Sequence, residues 1–354
     1  MSTGHDVADA RLHKITAALL RRGLRVEVWG LGDPAAGPAG AAVRAKNRGG
    51  LLNRLGRAAV MPWRSRAKVL LTVDPDLVPV GRLATGLRRR KMVADIHEDY
   101  GRLLSDRAWA AGLIGCPARV LVRMSSRLAA GADLTVVADL HLPPHYARHR
   151  RLVVQNLPDP AFLAPTGPEG PPRAIYVGDL RASRGLFDMA EAIAAAPGWS
   201  LDLVGPVADA DRDDFEQRIK EPDLFGRVVL HGRQPPAAAW RVAAGAWVGL
   251  ALLQETPAFL DAMPSKVYEY LASGLPVLST CLPRQAELIE DSGGGMLIGS
   301  PDEAAEVLRR WADHPAELEK LRRSALDWAT ATFPTRTPYD ELADAISDLL
   351  PERR

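Results

Sequence analysis

Short apolar runs recur along the chain and alternate with longer segments of helical periodicity. In the first half the strand-like runs are RVEVWG (25–30), KVLLTV (68–73), MVADIH (92–97), DLTVVA (133–138) and RLVVQN (151–156). Helix-like segments lie between them, near residues 8–22, 50–60, 77–90, 106–130 and 140–149. This alternation is typical of a parallel sheet with helices on both faces.

A proline-rich segment then interrupts the pattern. Six prolines fall between Pro158 and Pro172. Because each proline fixes φ and lacks an N–H donor, the segment fits neither a helix nor a central strand. We therefore predict a linker over residues 158–172.

The same alternation restarts after the linker. The strand-like runs are RAIYVG (173–178), SLDLVG (200–205), RVVLHG (227–232), WVGLALL (247–253), PVLSTC (276–281) and GMLIG (295–299). Helices fit residues 184–195, 209–220, 235–244, 264–273, 284–290, 302–313, 315–331 and 337–350. The pattern predicts two doubly wound, Rossmann-like α/β domains, 1–157 and 173–332, that face a cleft. The segment 333–354 is predicted as a helix that packs back across the junction onto the first domain.

The start of the chain is unusual for such a domain. A doubly wound domain opens with a strand and a glycine-containing turn, whereas this chain enters almost at once into the helix near 8–22. Either the first strand lies upstream of the recorded start, or the sheet is one strand short.

Charge is distributed unevenly. Residues 1–160 hold 26 lysines and arginines against 13 aspartates and glutamates, and the remaining residues hold 19 against 30. The first half is therefore predicted to face an anionic partner, although uneven surface charge alone would give the same counts. Within it, the basic tract 44–68 also carries leucines, and it fits either a segment lying on anionic lipid or a helix covering the sheet.

Cysteine use and hydropathy limit the cellular context. Cys116 and Cys281 lie far apart and have no metal-ligand or redox spacing, which fits a reducing cytoplasm. The sequence shows no apolar stretch of signal-peptide or membrane-spanning type. We expect a cytoplasmic protein whose membrane contact, if it has one, is peripheral.

The segment DAMPSKVYEYLASGLPVLSTC, residues 261–281, joins a predicted helix to a predicted strand. Pro264 suits the first helical position and Gly274 the position after the helix. Lys266 and Glu269 are not needed for this joint. They form either a solvated ion pair or a ligand site, in which the helix N-terminus and Lys266 bind a diphosphate and Glu269 accepts hydrogen bonds from hydroxyls.

MPSKVYEYLASGLPVLST, residues 263–280, resembles the donor-site signature of glycosyltransferase family 4. These are retaining enzymes of the GT-B fold that use nucleotide sugars. Members carry an acidic residue, seven intervening residues and a Glu, followed by Gly-x-Pro-Val. Asp261 and Glu269 have this spacing, with Asp where Glu is usual. The resemblance implies that both residues belong to the catalytic site, with Asp261 holding sugar hydroxyls.

Other segments carry the resemblance over nearly the whole chain. AIYVGDLRASRGLF is similar to the family's first strand and turn of the second domain, where Arg184 matches a pyrophosphate-binding cation and Asp179 lies where a further Arg is common. RVVLHGRQP resembles the turn that meets the nucleotide base, around Gly232 and Arg233. The resemblance also places Gly178, Ser265 and Lys266 among the donor-binding residues.

The first domain carries a weaker part of the resemblance. MVADIHEDY is similar to a turn in which a His lies beside the sugar and the acceptor. His97 takes that place as a catalytic residue, and Glu98 is a candidate on the acceptor side. RLVVQNLPDPAFL resembles the family's usual exit from this domain.

The resemblance implies transfer of a sugar, with retention of anomeric configuration, from a nucleotide-diphosphate sugar, UDP in preference to GDP. The acceptor is expected to be lipid-linked, polysaccharide or a small molecule. Arg184, Lys266 and the helix dipole would stabilise the leaving diphosphate, so neither a metal nor another cofactor is expected. No nucleic-acid partner is expected.

Three other functions are alternatives to this one. A nucleotide-sugar 2-epimerase of the same fold would need no acceptor. A membrane-associated scaffold that has lost its donor site would bind no nucleotide diphosphate. An NAD-dependent dehydrogenase is disfavoured, because no Gly-x-Gly-x-x-Gly follows a predicted strand.

Overall fold

The computed structural model describes residues 1–101, 115–163, 165–260, 263 and 265–351. The chain divides into two compact units. Unit 1 comprises Met1–Asn156 with Arg336–Arg354, and unit 2 comprises Leu157–Thr335. The predicted linker range 158–172 therefore lies at the start of unit 2, where Pro160–Phe162 forms a short 3-10 helix. No helix in the described part of the chain is long and apolar enough to cross a bilayer.

The described residues of unit 1 contain six parallel strands in two hydrogen-bonded sheets. The strands are β1 (Glu27–Leu31), β2 (Ala42–Lys46), β3 (Val69–Thr72), β4 (Lys91–Ile96), β5 (Leu134–Val137) and β6 (Arg150–Val153). β1 pairs with β2, and β3 to β6 form a sheet in chain order. Its described α-helices are α1 (Ala10–Arg21), α2 (Leu51–Arg64), α3 (Leu77–Leu87) and α4 (Cys116–Ala129), together with the last helix of the chain.

The first residues of the chain connect the two sheets of unit 1. The Met1 ammonium donates to the Leu71 carbonyl at 2.7 Å. The Ser2 N–H donates to the Trp29 carbonyl at 2.8 Å, and the Leu31 N–H to the His5 carbonyl at 3.0 Å. Backbone hydrogen bonds thus hold this segment between β1 and β3. Its polar side chains consequently lie at the carboxyl ends of those strands.

Two α-helices of unit 1 differ from the sequence expectation. The predicted helix 140–149 is wrong, because this range forms bends and turns around Pro143 and Pro144. Adjacent prolines supply no N–H donors and cannot continue a helix. The Arg151 guanidinium instead donates to carbonyls of this loop. The predicted helix 106–130 is described only as Cys116–Ala129, and most of its first part lies outside the described residues.

Unit 2 contains one six-stranded parallel sheet in the order β12-β11-β10-β7-β8-β9. Its strands are β7 (Arg173–Val177), β8 (Ser200–Val204), β9 (Val228–Gly232), β10 (Val248–Ala251), β11 (Val277–Thr280) and β12 (Gly295–Ile298). Its α-helices are α5 (Leu186–Ala194), α6 (Arg212–Arg218), α7 (Pro236–Ala243), α8 (Pro257–Leu260), α9 (Ser265–Ala272), α10 (Pro283–Ser292), α11 (Pro301–Asp313) and α12 (Pro315–Thr332).

Helices cover both faces of this sheet. Along β7, Ala174 and Tyr176 join one apolar cluster, and Ile175 and Val177 join another. Successive residues of a strand point to opposite faces, so each face of the sheet has its own core. The strand order reverses direction between β7 and β10. Ligands of open α/β sheets bind beyond the carboxyl ends of the strands at this kind of switch point.

The last helix of the chain, α13 (Pro338–Asp348), belongs to unit 1 and packs against α1. Thr337 caps its start in a capping box with Asp340. The apolar side chains of α13 join a cluster that includes residues of α1, β4 and β5: Ile15, Ala18, Leu19, Val93, Leu134, Val136, Tyr339, Leu342, Ala343, Ala345 and Ile346. The core of unit 1 is thus completed by residues from the far end of the chain.

Candidate active site

Two glycines bring the turns after β7 and β8 into contact. A Cβ atom at Gly205 would lie 1.7 Å from the Gly178 carbonyl oxygen, so only glycine allows this approach. The Gly178 N–H donates to the Val204 carbonyl at 2.9 Å, which holds the turn in place. A Cβ atom at Gly178 would lie 3.0 Å from Cε of Lys266. The predicted donor residue Gly178 therefore lies directly beneath the Lys266 side chain.

The start of α9 positions Lys266 and Glu269 on the same side of the helix. Lys266 Nζ lies 3.2 Å from Oε2 of Glu269, and the two side chains are 26% and 4% exposed. A carboxylate this deeply buried needs a charged or hydrogen-bonding partner. The pair is therefore not the solvated surface ion pair that the sequence left open. Its cation is accessible, whereas its carboxylate is shielded.

The packing of α9 explains this placement. Tyr270 is buried against Gly249 of β10, where a Cβ atom would lie 2.6 Å from the ring. The Val177 N–H donates to the Tyr270 hydroxyl at 3.2 Å. These contacts fix the rotation of α9 about its axis. Lys266 and Glu269 are consequently held at the carboxyl edge of β7 and β10.

Arg184 ends a 3-10 helix in the turn that follows β7. Its guanidinium carbon lies 5.8 Å from the ring centre of Phe259 on α8. Its Nε is buried and has no hydrogen-bond partner among the described residues. At the next residue, Gly185, φ is +77° and a Cβ atom would lie 2.0 Å from the Leu252 carbonyl oxygen. The turn is therefore packed tightly against the end of β10, and an anionic ligand would satisfy the Arg184 donor.

Asp179, in the same turn as Arg184, lies close to two arginines. Its carboxylate lies 3.3 Å from Nη2 of Arg233 and 3.5 Å from Nη2 of Arg181. Arg233 follows Gly232, which ends β9 with φ of +65°. The predicted base-binding residues thus lie beside the predicted phosphate turn. Sequence reasoning missed Arg181, which supplies a cation two residues after the position where Asp179 replaces the family's Arg.

Ser265 and Asp261 are the predicted residues at and before the start of α9. Ser265 begins α9, and its N–H donates to the Met263 carbonyl at 2.8 Å. Asp261 lies outside the described residues, as does Pro264.

Beyond β10, β11 and β12 the structure has a cavity of about 350 Å³. None of the predicted donor-binding residues lines it.

In unit 1, the predicted residue His97 directly follows β4 and lies against a second histidine. Its Nε2 is 3.2 Å from Nε2 of His5, and the ring centres are 4.9 Å apart. Burial lowers the pKa of His97, and the nearby Arg11 and His5 act in the same direction. The Nδ1 atom of His97 is buried and has no partner among the described residues. Glu98, the other predicted residue here, is exposed.

His5 connects His97 to a buried carboxylate. Its Nδ1 lies 3.2 Å from Oδ1 of Asp74, which is 4% exposed. Burial opposes a charge on His5, but the hydrogen bond to Asp74 and the attraction of that carboxylate outweigh it and raise the pKa of His5 to about 9. The Thr3 N–H and the Ser2 hydroxyl also donate to Asp74. His5 is therefore an imidazolium at neutral pH, and it disfavours a second positive charge on His97.

A buried ion pair lies beneath this histidine pair. Arg11, in the first turn of α1, donates from Nε and Nη2 to the two oxygens of Asp95 at 2.8 and 2.7 Å. Its Nη1 donates to the Val154 carbonyl at 3.0 Å. This fork connects α1 to the ends of β4 and β6. It fixes the strand end that carries His97.

Sequence reasoning missed His5, Asp74, Arg11 and Asp95. The signal available was weak: Asp74 follows one predicted strand, Asp95 lies within another, and His5 precedes the first helix. Their pairing depends on contacts between residues about 70 to 85 positions apart. Among the residues that the structure describes, no three His, Cys, Asp or Glu side chains are grouped so as to hold a metal ion.

Comparison with known proteins finds a family match in unit 2. The family described as "Glycosyl transferases group 1" matches residues 163–328. No curated protein matches the chain significantly. Many solved structures match the chain significantly.

Three of these solved structures cover nearly all of the chain. HepE from Anabaena, in complex with UDP and glucose, has a TM-score of 0.63 at 16% identity over 95% of both chains. Sucrose-phosphate synthase from Thermosynechococcus elongatus has a TM-score of 0.63 at 16% identity over 95% of this chain and 92% of its own. WaaG, a glycosyltransferase involved in lipopolysaccharide biosynthesis, has 0.60 at 16% over 94% of both. The predicted GT-B fold is therefore confirmed, and residues 163–328 match the family described as glycosyl transferases group 1.

Proposed function

We propose that the protein is a retaining, metal-independent glycosyltransferase of family 4. It moves a sugar from a nucleotide-diphosphate sugar, UDP in preference to GDP, to a lipid-linked, polysaccharide or small-molecule acceptor. The family match over residues 163–328 supports the transferase activity. The preference for UDP is supported by the structural neighbour HepE, whose structures hold UDP and UDP-glucose.

One observation carries the proposal. An accessible lysine, Lys266, lies over the glycine turn after β7 and pairs with the buried Glu269. Because glycine has no side chain, a glycine turn lets a phosphate approach the backbone closely, and a lysine above the turn neutralises the phosphate charge. The buried carboxylate beside the lysine can accept hydrogen bonds from ribose or sugar hydroxyls. This set of groups fits a sugar diphosphate better than a simple anion.

The departing diphosphate gains negative charge in the transition state. Lys266 and Arg184 supply the compensating charge, and the N-terminus of α9 adds the positive end of its dipole. Because Arg184 Nε is buried without a partner among the described residues, it gains a hydrogen bond when an oxyanion binds. The proposal of a metal-independent reaction rests on these groups.

The remaining residues take supporting roles in the proposal. Gly232 and Arg233 contact the nucleotide base, and Ser265, the first residue of α9, belongs to the donor site. Asp261 holds sugar hydroxyls. In unit 1, His97 contacts the sugar or the acceptor, and Glu98 lies on the acceptor side. The enzyme acts in the cytoplasm, and unit 1, with its excess of lysine and arginine, makes peripheral contact with an anionic membrane.

Two variants test the donor site. Lys266→Ala and Glu269→Ala should abolish release of nucleoside diphosphate from the donor that a screen identifies, while circular dichroism remains unchanged. Lys320→Ala and Glu290→Ala are matched controls, since both side chains are exposed on the same unit. Turnover like that of the unmodified protein in either site variant would refute the assignment.

Two further measurements separate the alternative functions. An isomerised nucleotide sugar, formed without acceptor and without release of diphosphate, would indicate a 2-epimerase. Calorimetry with UDP and GDP should give binding that Lys266→Ala weakens. Absence of binding to both nucleotides would favour a scaffold.

A further inference from the structure

Three helices of unit 1 lie side by side. Helix α2 packs against α3, and α3 packs against α4. The Arg88 guanidinium, just after α3, donates to the Trp63 carbonyl of α2 at 2.6 Å and lies 5.5 Å from the centre of the Trp63 ring. The three helices therefore present one continuous surface, which we call the α2–α4 face.

The α2–α4 face carries most of the large apolar side chains that are exposed in the described residues. Of the twelve large hydrophobic side chains that are exposed in the described residues, eight belong to these helices: Leu51, Leu52, Leu55, Val60, Leu83, Leu87, Val120 and Met124. Leu52 is 85% exposed and Leu51 is 71% exposed, both in the first turn of α2. Exposed apolar surface concentrated in this way marks an interaction site.

The charged side chains of these three helices are all basic. The helices Leu51–Arg64, Leu77–Leu87 and Cys116–Ala129 contain seven arginines and neither aspartate nor glutamate. The two carboxylates before α3, Asp74 and Asp76, are buried. They pair with His5, Thr3 and Arg54, so that among the seven arginines they neutralise Arg54. A partner of this face has to be anionic, and it has to accept aliphatic side chains.

We propose that the α2–α4 face docks on the surface of a bilayer that contains anionic phospholipid. The leucines of the first turn of α2 enter the boundary between headgroups and acyl chains, and the arginines contact lipid phosphates. This identifies the surface for the membrane contact of the proposed function. The inference rests on the proposed function in one respect, namely that the enzyme meets its acceptor at the membrane. Docking itself requires no donor.

Other occupants fit the face less well. Single-stranded nucleic acid is held by aromatic stacking, and the eight exposed apolar side chains are all aliphatic or methionine. A symmetric dimer through this face would place arginines against arginines without a carboxylate between them. A bilayer with phosphate headgroups above acyl chains supplies both required features.

Co-sedimentation with vesicles tests the proposal on the full-length protein. The protein should bind phosphatidylcholine vesicles that contain phosphatidylglycerol and not vesicles of phosphatidylcholine alone, and added salt should weaken the binding. Leu51→Ser combined with Leu52→Ser should lower the partition coefficient about tenfold or more. Arg123→Glu should lower it about tenfold.

Matched controls lie on unit 2. Phe225→Ser removes an apolar side chain that is 73% exposed, and Arg309→Glu makes the same change of charge on an exposed helix. Both should bind like the unmodified protein. Equal effects of site and control variants, or equal binding to neutral vesicles, would overturn the proposal.

Light scattering completes the test. A dimer that the leucine variant abolishes would make the face an interface between two copies, and would also overturn the proposal. Nucleotide binding, measured separately by calorimetry without vesicles, should be unchanged in every variant. Failure of docking is thereby distinguished from failure of the donor site.

Discussion

The ion pair between His5 and Asp74 makes the stability of unit 1 depend on pH. The folded protein raises the pKa of His5 from 6.5 to about 9, against the opposing effect of burial. Below pH 6.5 His5 is protonated in both the folded and the unfolded states, and the full stabilisation is present. As pH rises toward 9, the unfolded state has lost its proton while the folded state retains it, and the stabilisation is progressively lost. The difference between the folded and unfolded pKa values of His5 corresponds to about 3 kcal/mol in the free energy of unfolding.

Replacing His5 with Gln isolates this contribution. The raw pH dependence also contains the Met1 ammonium, whose pKa burial lowers from 8.0 to about 6 and whose effect on stability has the opposite sign. Subtracting the urea unfolding free energy of His5→Gln from that of the unmodified protein at each pH cancels such common contributions. We expect this difference to be largest near pH 6 and to fall by about 3 kcal/mol by pH 10. Asp74→Asn should give the same trend.

Nuclear magnetic resonance gives a direct measurement of the same quantity. The ring protons of His5, assigned by comparison with His5→Gln, should titrate near pH 9. Those of His97 should show a neutral ring over the whole range from pH 7 upward, because burial lowers its pKa. A His5 midpoint near 6.5, together with an unfolding difference that is independent of pH, would refute the reasoning.

Three further predictions concern individual contacts. Arg184→Ala should weaken binding of nucleoside diphosphate about tenfold or more in calorimetry, whereas Arg181→Ala should weaken it less, because Asp179 already neutralises that side chain. Gly205→Ala forces a Cβ atom against the Gly178 carbonyl and should lower the free energy of unfolding by about 3 kcal/mol, measured by urea denaturation. Asp95→Ala leaves the buried Arg11 without its carboxylate and should cost about 3–5 kcal/mol in the same assay. Unchanged binding or unfolding would contradict the corresponding prediction.

The regular elements of the fold could be predicted from local patterns. Each of the eleven strand-like runs contains or overlaps an observed strand. One strand was missed: β2, Ala42–Lys46, alternates between exposed and half-buried residues and contains two basic side chains. Its assignment depends on pairing with β1, which local hydrophobicity does not reveal. The predicted helix over 140–149 is wrong because Pro143 and Pro144 lack the N–H donors that a helix requires.

In the candidate site, too, local patterns predict some features, and contacts between distant segments decide the others. Lys266 and Glu269 could be singled out because helical spacing alone brings residues i and i+3 together. The depth of Glu269, which decides between a surface ion pair and a shielded carboxylate, depends on how α9 packs against β10. His5 and Asp74 are 69 positions apart in the sequence. They are in contact because the N-terminal segment lies between β1 and β3. No local pattern encodes such a contact.

The return of α13 to unit 1 has a consequence for synthesis. Five apolar residues of α13 belong to a core whose other members lie before residue 155. A ribosome therefore has to complete all of unit 2 before unit 1 receives the side chains that close its core. Folding during translation generally proceeds from the N-terminus, but here unit 2 can close first. Until α13 emerges, the apolar residues of α1 that pack against it stay uncovered in the nascent unit 1. At this stage a chaperone would bind unit 1.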